Sequence, residues 1–143
     1  MSTVAAQDEM RDILTRYRRI AVVGLSDDPA RPSNSVARYL IAQGYEVYPV
    51  NPKLQAPTVI GRRVYGALAD LPEPPEIVDV FRRSEYVAQV VDEAVAAGAK
   101  VIWTQLGVRD DQAAARARQA GLTVVQNRCT AIEHGRLGIG SVR

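Results

Sequence analysis

A doubly wound parallel α/β fold is what this chain of 143 residues predicts, and three observations carry the prediction. Short apolar runs rich in β-branched residues recur along the chain, and stretches of helical period lie between them. The changes from one to the other fall on glycine, proline or capping residues. Strands that alternate with single helices call for right-handed crossovers, which cover both faces of a parallel sheet.

From Asp8 to Arg19 the apolar residues Met10, Ile13, Leu14 and Tyr17 fall on one face of a 3.6-residue helix. Residues 1–7 ahead of it are expected to be a flexible N-terminus. Ile20-Ala21-Val22-Val23-Gly24-Leu25 is a continuous apolar run with a glycine near its end, the pattern of a strand buried on both faces. Ser33 or Asn34 can cap the next helix, which runs through Gln43 with Val36, Ala37, Tyr39 and Leu40 as its apolar stripe and Gly44 as its stop. Tyr45 to Val50 reads as the second strand, closed by Asn51-Pro52.

Residues 53–75 carry glycines and prolines without a clear period, so an irregular segment with one short helical turn near Ala67–Asp70 is expected. Ile77 to Phe81 is the third strand, and Ser84 can cap a helix to about Ala97, stopped by Gly98. Val101 to Thr104 is the fourth strand. Asp110 or Asp111 opens a helix through Ala120, and Leu122 to Val125 is the fifth strand. Two strand-helix units on each side of the irregular segment suggest one Rossmann-like domain over residues 1–143, with a parallel sheet of about five strands in the order 3-2-1-4-5. Ligands are then expected where the winding reverses, beside Gly24, Asn51 and Phe81.

Composition narrows the function. A hydrophobic share of 47% against 24% charged residues argues for a packed core and against disorder. A net charge of +2 gives no ground for general nucleic-acid binding. Cys129 is the single cysteine, so neither an internal disulfide nor a cysteine-rich zinc site is available, and a reducing, cytoplasmic setting is expected. Met1 to Arg19 lacks the apolar core of a secretion signal, and no apolar run reaches the length of about 18 residues that a membrane span needs.

The loop after the first strand, Gly24-Leu25-Ser26 through Arg31-Pro32-Ser33, leads into a helix whose first amides attract phosphate. It lacks the second and third glycines of the GxGxxG fingerprint, which weakens generic NAD binding. After the second strand, where a dinucleotide enzyme stations a carboxylate for the ribose diol, stands Asn51-Pro52-Lys53. A lysine there suits a ribose that bears a phosphate, as in coenzyme A (CoA) and NADP. After the third strand, Phe81 offers an aromatic face, and Arg82 or Arg83 a guanidinium for pyrophosphate. After the fourth, Gln105 and Gly107 suit a narrow polar channel, while Trp103 reads as core. The sole Cys and sole His, Cys129 and His134, lie close enough in sequence to suggest a nucleophilic pair, against the simpler reading of an inert core thiol and a turn histidine. No metal site is indicated.

Gly24-Leu25-Ser26, Arg31-Pro32-Ser33, Tyr48 to Lys53, Asp79-Val80-Phe81-Arg82, Trp103 to Gly107 and Arg128-Cys129 with Glu133-His134 together resemble the small stand-alone CoA-binding proteins. These are similar to the N-terminal domain of the succinyl-CoA synthetase α subunit, and the resemblance spans roughly residues 8–137. It implies that Gly24, Leu25, Ser26, Arg31, Pro32 and Ser35 hold phosphates. It further implies that Asn51, Pro52 and Lys53 lie at the adenosine 3′-phosphate, and that Phe81, Arg82, Gln105 and Gly107 line the remaining crevice. The synthetase's phosphohistidine and its second domain have no counterpart in these residues. Where the family pattern has Asp ahead of the Arg-Cys pair, this chain has Asn127, which removes an acid from that position.

The expectation is therefore a non-catalytic protein that holds CoA or acyl-CoA at the carboxyl ends of the strands, with no catalytic residues of its own. An NADP-dependent oxidoreductase and a Cys129-dependent acyl transferase are the alternatives. A homodimer is compatible with a small α/β domain, but no residue pattern marks an interface or a protein partner.

Overall fold

Alternation of side chains along the strands organises the molecule, whose computed structural model describes residues 3–143. Strands β1 (Arg19–Val23), β2 (Glu46–Val50), β5 (Ile77–Val80), β6 (Val101–Thr104) and β7 (Thr123–Val125) form one parallel sheet in the order β2-β1-β5-β6-β7. β3 (Thr58–Val59) and β4 (Arg62–Arg63) make a separate antiparallel hairpin within the segment expected to be irregular. Ile20, Val22, Val47, Ile77, Val101 and Trp103 face one side of the sheet, where α1 (Val4–Arg16), α2 (Pro32–Ala42) and α5 (Thr130–Arg136) cover them. Ala21, Val23, Val50, Val78, Val80 and Ile102 face the other, under α3 (Val87–Ala96) and α4 (Asp111–Gln119). Burial on both faces is why the strands read as unbroken apolar runs.

The expected winding is present, with one reassignment of residues. Tyr65 forms a parallel bridge to Val50 on the outer side of β2. Counted with that bridge, the sheet runs 3-2-1-4-5 through β6, and β7 lies at the far edge. The third place thus belongs to a residue of the irregular segment, and Ile77–Val80 takes the fourth place beside β1. A single bridged residue leaves no periodic trace in sequence.

Helix ends also moved. Thr3 caps α1 by accepting from the Ala6 amide at 3.0 Å, so the helix starts before Asp8. Of the expected flexible N-terminus, Met1 and Ser2 lie outside the described residues, and Val4 to Gln7 belong to this helix. α2 begins at Pro32 after Arg31, with no side-chain cap. Ser84 starts a 3₁₀ turn, Ser84–Tyr86, and its hydroxyl accepts from the Arg109 amide at 2.9 Å instead of capping α3. Asp110 caps α4 as expected, accepting from the Ala113 amide at 3.0 Å. Among the described residues no helix is long and apolar enough to cross a membrane.

Candidate functional site

Register brings the site together. Val23 is level with Val50 on one side and Val80 on the other, and Val80 is level with Thr104. The next residue of each strand is therefore at one edge, in the spatial order Asn51, Gly24, Phe81, Gln105. At about 4.8 Å between neighbouring strands, this row spans roughly 14 Å.

Two adjoining clefts open along it. The larger, of about 840 Å³, is lined on one wall by Ser26, Arg31, Pro32 and Ser35 and on the other by Phe81, Arg82, Gln105 and Gly107. The smaller, of about 250 Å³, takes in Asn51, Pro52, Lys53 and Tyr86. Gly24, Phe81, Arg82 and Arg83 line both, so the clefts run into one another. Of the residues expected to hold the cofactor, Leu25 alone lines neither: its side chain is fully buried in the core, and its carbonyl accepts from Asn51 Nδ2.

Gly24 is demanded by the close approach of two strand ends. It has φ +92°, and a Cβ there would stand 2.7 Å from the Phe81 carbonyl oxygen. The glycine expected to admit a ligand thus first admits the backbone of Phe81, just past β5. Asn51 ties the neighbouring loop: its Nδ2 donates to the Leu25 carbonyl at 2.9 Å, and its Oδ1 accepts from the Lys53 amide at 2.9 Å.

The loop from Ser26 to Ser33 holds itself. The Ser33 hydroxyl accepts from the Ser26 amide at 3.0 Å, and Asn34 Nδ2 donates to the Ser26 carbonyl at 2.9 Å. Both side chains are buried, which is why these two expected cap residues do not cap. Asp28 and Ser26 close two further short turns through the amides of Ala30 and Asp28.

The cations differ in availability. Arg83 pairs with Glu85 at 3.0 Å. Arg82 lies over the ring of Tyr86 at 4.0 Å and faces both clefts. Among the described residues, neither the Lys53 ammonium nor the Arg31 or Arg82 guanidinium has a carboxylate partner, and no carboxylate lines either cleft. Tyr86 was not legible as a site residue, because nothing in sequence marks which face of a short 3₁₀ turn points to a cleft.

Beneath the floor is a buried carboxyl group. Asp79 is fully buried, accepts from Gln105 Nε2, and accepts from the Thr130 hydroxyl at 2.9 Å. Burial pushes its pKa up from 3.8 to about 7, against the pull of the two hydrogen bonds. Gln105 Nε2 also reaches Thr130 Oγ1 at 3.2 Å, so the side chain expected to serve the channel spends its donors inward. The Gly107 amide is likewise taken, by Asn127 Oδ1 at 2.7 Å. Asn127, with φ +58°, is a clamp for this turn and has no acid role.

Cys129 and His134 do not pair through the ring nitrogens. His134 Nε2 meets the Gly140 carbonyl at 2.8 Å, which can only accept, so this nitrogen donates. Nδ1 is left to accept from the Tyr39 hydroxyl at 2.7 Å. The ring is 1% exposed and packs edge-on to Tyr39 and Tyr45. Cys129 borders the large cleft but has no base presented to it by these bonds.

The family model described as "CoA binding domain" matches residues 18–135. The chain is 38% identical over 126 residues to the "Uncharacterized protein YneT" of Bacillus subtilis, covering 88% of this chain and 92% of that one. A solved structure of a hypothetical protein from Pyrococcus horikoshii superposes with a TM-score of 0.89 at 41% identity, covering 96% of each chain. The α subunit of an ADP-forming acetate–CoA ligase from Pyrococcus furiosus is 30% identical over 95 residues. That match takes in 64% of this chain and 21% of the ligase subunit.

Proposed function

The chain belongs to the family of the CoA binding domain, and from that premise we propose that it holds CoA or acyl-CoA in the joined clefts without transforming it. One observation carries the reading: the site is graded along its length. Among the described residues Lys53, Arg31 and Arg82 stand without acidic partners after β2, β1 and β5, and apolar side chains take over past β6. CoA is graded in the same sense, with a phosphorylated ribose and pyrophosphate at one end and an uncharged pantetheine arm at the other.

On this reading Lys53 meets the ribose phosphate, and Arg31 and Arg82 meet the pyrophosphate near the Gly24 loop. Tyr86, already under the Arg82 guanidinium, adds an aromatic face at the adenosine end. The pantetheine arm follows Phe81 toward Gln105 and Gly107. Chemistry finds little support: His134 is locked away from Cys129, and Asp79 lies under the floor with both oxygens engaged.

Calorimetry with CoA, dephospho-CoA, NADP and NAD tests the proposal. CoA is expected to bind about tenfold or more tightly than dephospho-CoA, since one charge-assisted contact is worth about 1.5–3 kcal/mol. Equal heats and affinities for these two ligands would remove the Lys53 assignment, and tighter binding of NADP than of CoA would overturn the reading.

A further inference from the structure

Resting on the reading just proposed, we infer that the part of the large cleft beyond Gln105 selects the acyl group of a CoA thioester, and that it takes hydrocarbon acyl groups and discriminates against those ending in a carboxylate. The argument starts from what lies beyond Gln105. Leu106, Val108, Ala131 and Ile132 line this part together with Val36 and Cys129. Leu106 is 60% exposed and Ile132 47% exposed, and both face the same cleft. Large apolar side chains left in water at the end of a cation-lined groove are the surface that a hydrocarbon extension of the ligand would cover.

The hydroxyl and amide side-chain donors of this part, with the Gly107 amide, are already committed. The Tyr39 hydroxyl is bonded to His134, Gln105 Nε2 to Asp79 and Thr130, and the Gly107 amide to Asn127. The cations of the joined clefts, Arg31, Lys53, Arg82 and Arg83, belong to the segments that follow β1, β2 and β5, and none comes from the β6 turn or from α5. An ω-carboxylate placed past Gly107 would therefore lose water without gaining a cation or one of these donors, which is costly for a charge. A methyl end in the same place covers Leu106 and Ile132.

Four ligands read this directly by calorimetry: CoA, butyryl-CoA, hexanoyl-CoA and succinyl-CoA. Butyryl and succinyl groups have the same number of carbons and differ in the terminal charge. Butyryl-CoA is expected to bind at least tenfold more tightly than succinyl-CoA, and hexanoyl-CoA to gain up to about fourfold for each methylene it buries. Equal affinities for butyryl-CoA and succinyl-CoA, with CoA still bound, would overturn this inference and leave CoA binding standing. Absence of binding by all four would overturn both. Because Ile132 is on the surface, Ile132→Lys is expected to fold, and it should narrow or reverse the butyryl-to-succinyl ratio; an unchanged ratio would place the acyl group elsewhere.

Discussion

At the scale of single residues, Lys53 bears most of the functional argument because, among the described residues, it is a cation without a carboxylate partner where related sheets station an acid. Lys53→Ala is expected to weaken CoA about tenfold and to leave dephospho-CoA unchanged; calorimetry of both on the variant checks this. Gly24→Ala places a side chain at φ +92° and a Cβ 2.7 Å from the Phe81 carbonyl. The strained backbone alone costs on the order of 1–3 kcal/mol, so a lower midpoint in urea is expected. Asp79 sets a pH dependence. Its carboxyl holds a proton in the folded chain up to about pH 7, whereas the unfolded chain releases it near 3.8. The folded state thus gains from this group at low pH and loses that gain as pH rises through 7. Thermal scans between pH 5 and 8 should show that fall, and Asp79→Asn should flatten it. Lys53 and the core position of Trp103 were legible because charge and size show in a sequence. Leu25 and His134 were not, because the direction of a side chain and the partners of a ring nitrogen depend on residues far along the chain.

Among the elements, those read most securely were the ones whose burial repeats with a period. β6 was read with its observed bounds, Val101–Thr104, and α4 with its Asp110 cap. α5, of seven residues, escaped because it is too short to show a stripe, and the hairpin β3-β4 because two-residue strands have no alternation to read. Ser33 and Asn34 were legible as polar residues at a helix start, yet tertiary bonds to Ser26 outcompete capping there. Those bonds tie the loop from Ser26 to Ser33, which makes Asn34 the test of that element. Asn34→Ala leaves the Ser26 carbonyl and the Arg38 guanidinium without this partner. It is expected to cost about 1–3 kcal/mol and to speed amide exchange of residues 26–30 while α4 stays protected.

For the molecule as a whole, the alternating pattern sufficed for a parallel sheet covered on both faces, and the winding placed the crevice beside Gly24, Asn51 and Phe81. What the pattern could not contain was the substitution of Tyr65 for a full third strand, since one bridge satisfies no period. The same topology arranges cations at one end of the clefts and apolar groups at the other. Binding of CoA should accordingly weaken as salt is raised from 50 to 500 mM, as screening acts on the phosphate contacts. The most direct measurement is a crystal structure grown with CoA. The account predicts the ribose phosphate within hydrogen-bond reach of the Lys53 ammonium and the sulfur past Gly107, next to Leu106 and Ile132. A nucleotide half lying away from residues 51–53, or a reversed ligand with its sulfur there, would contradict it.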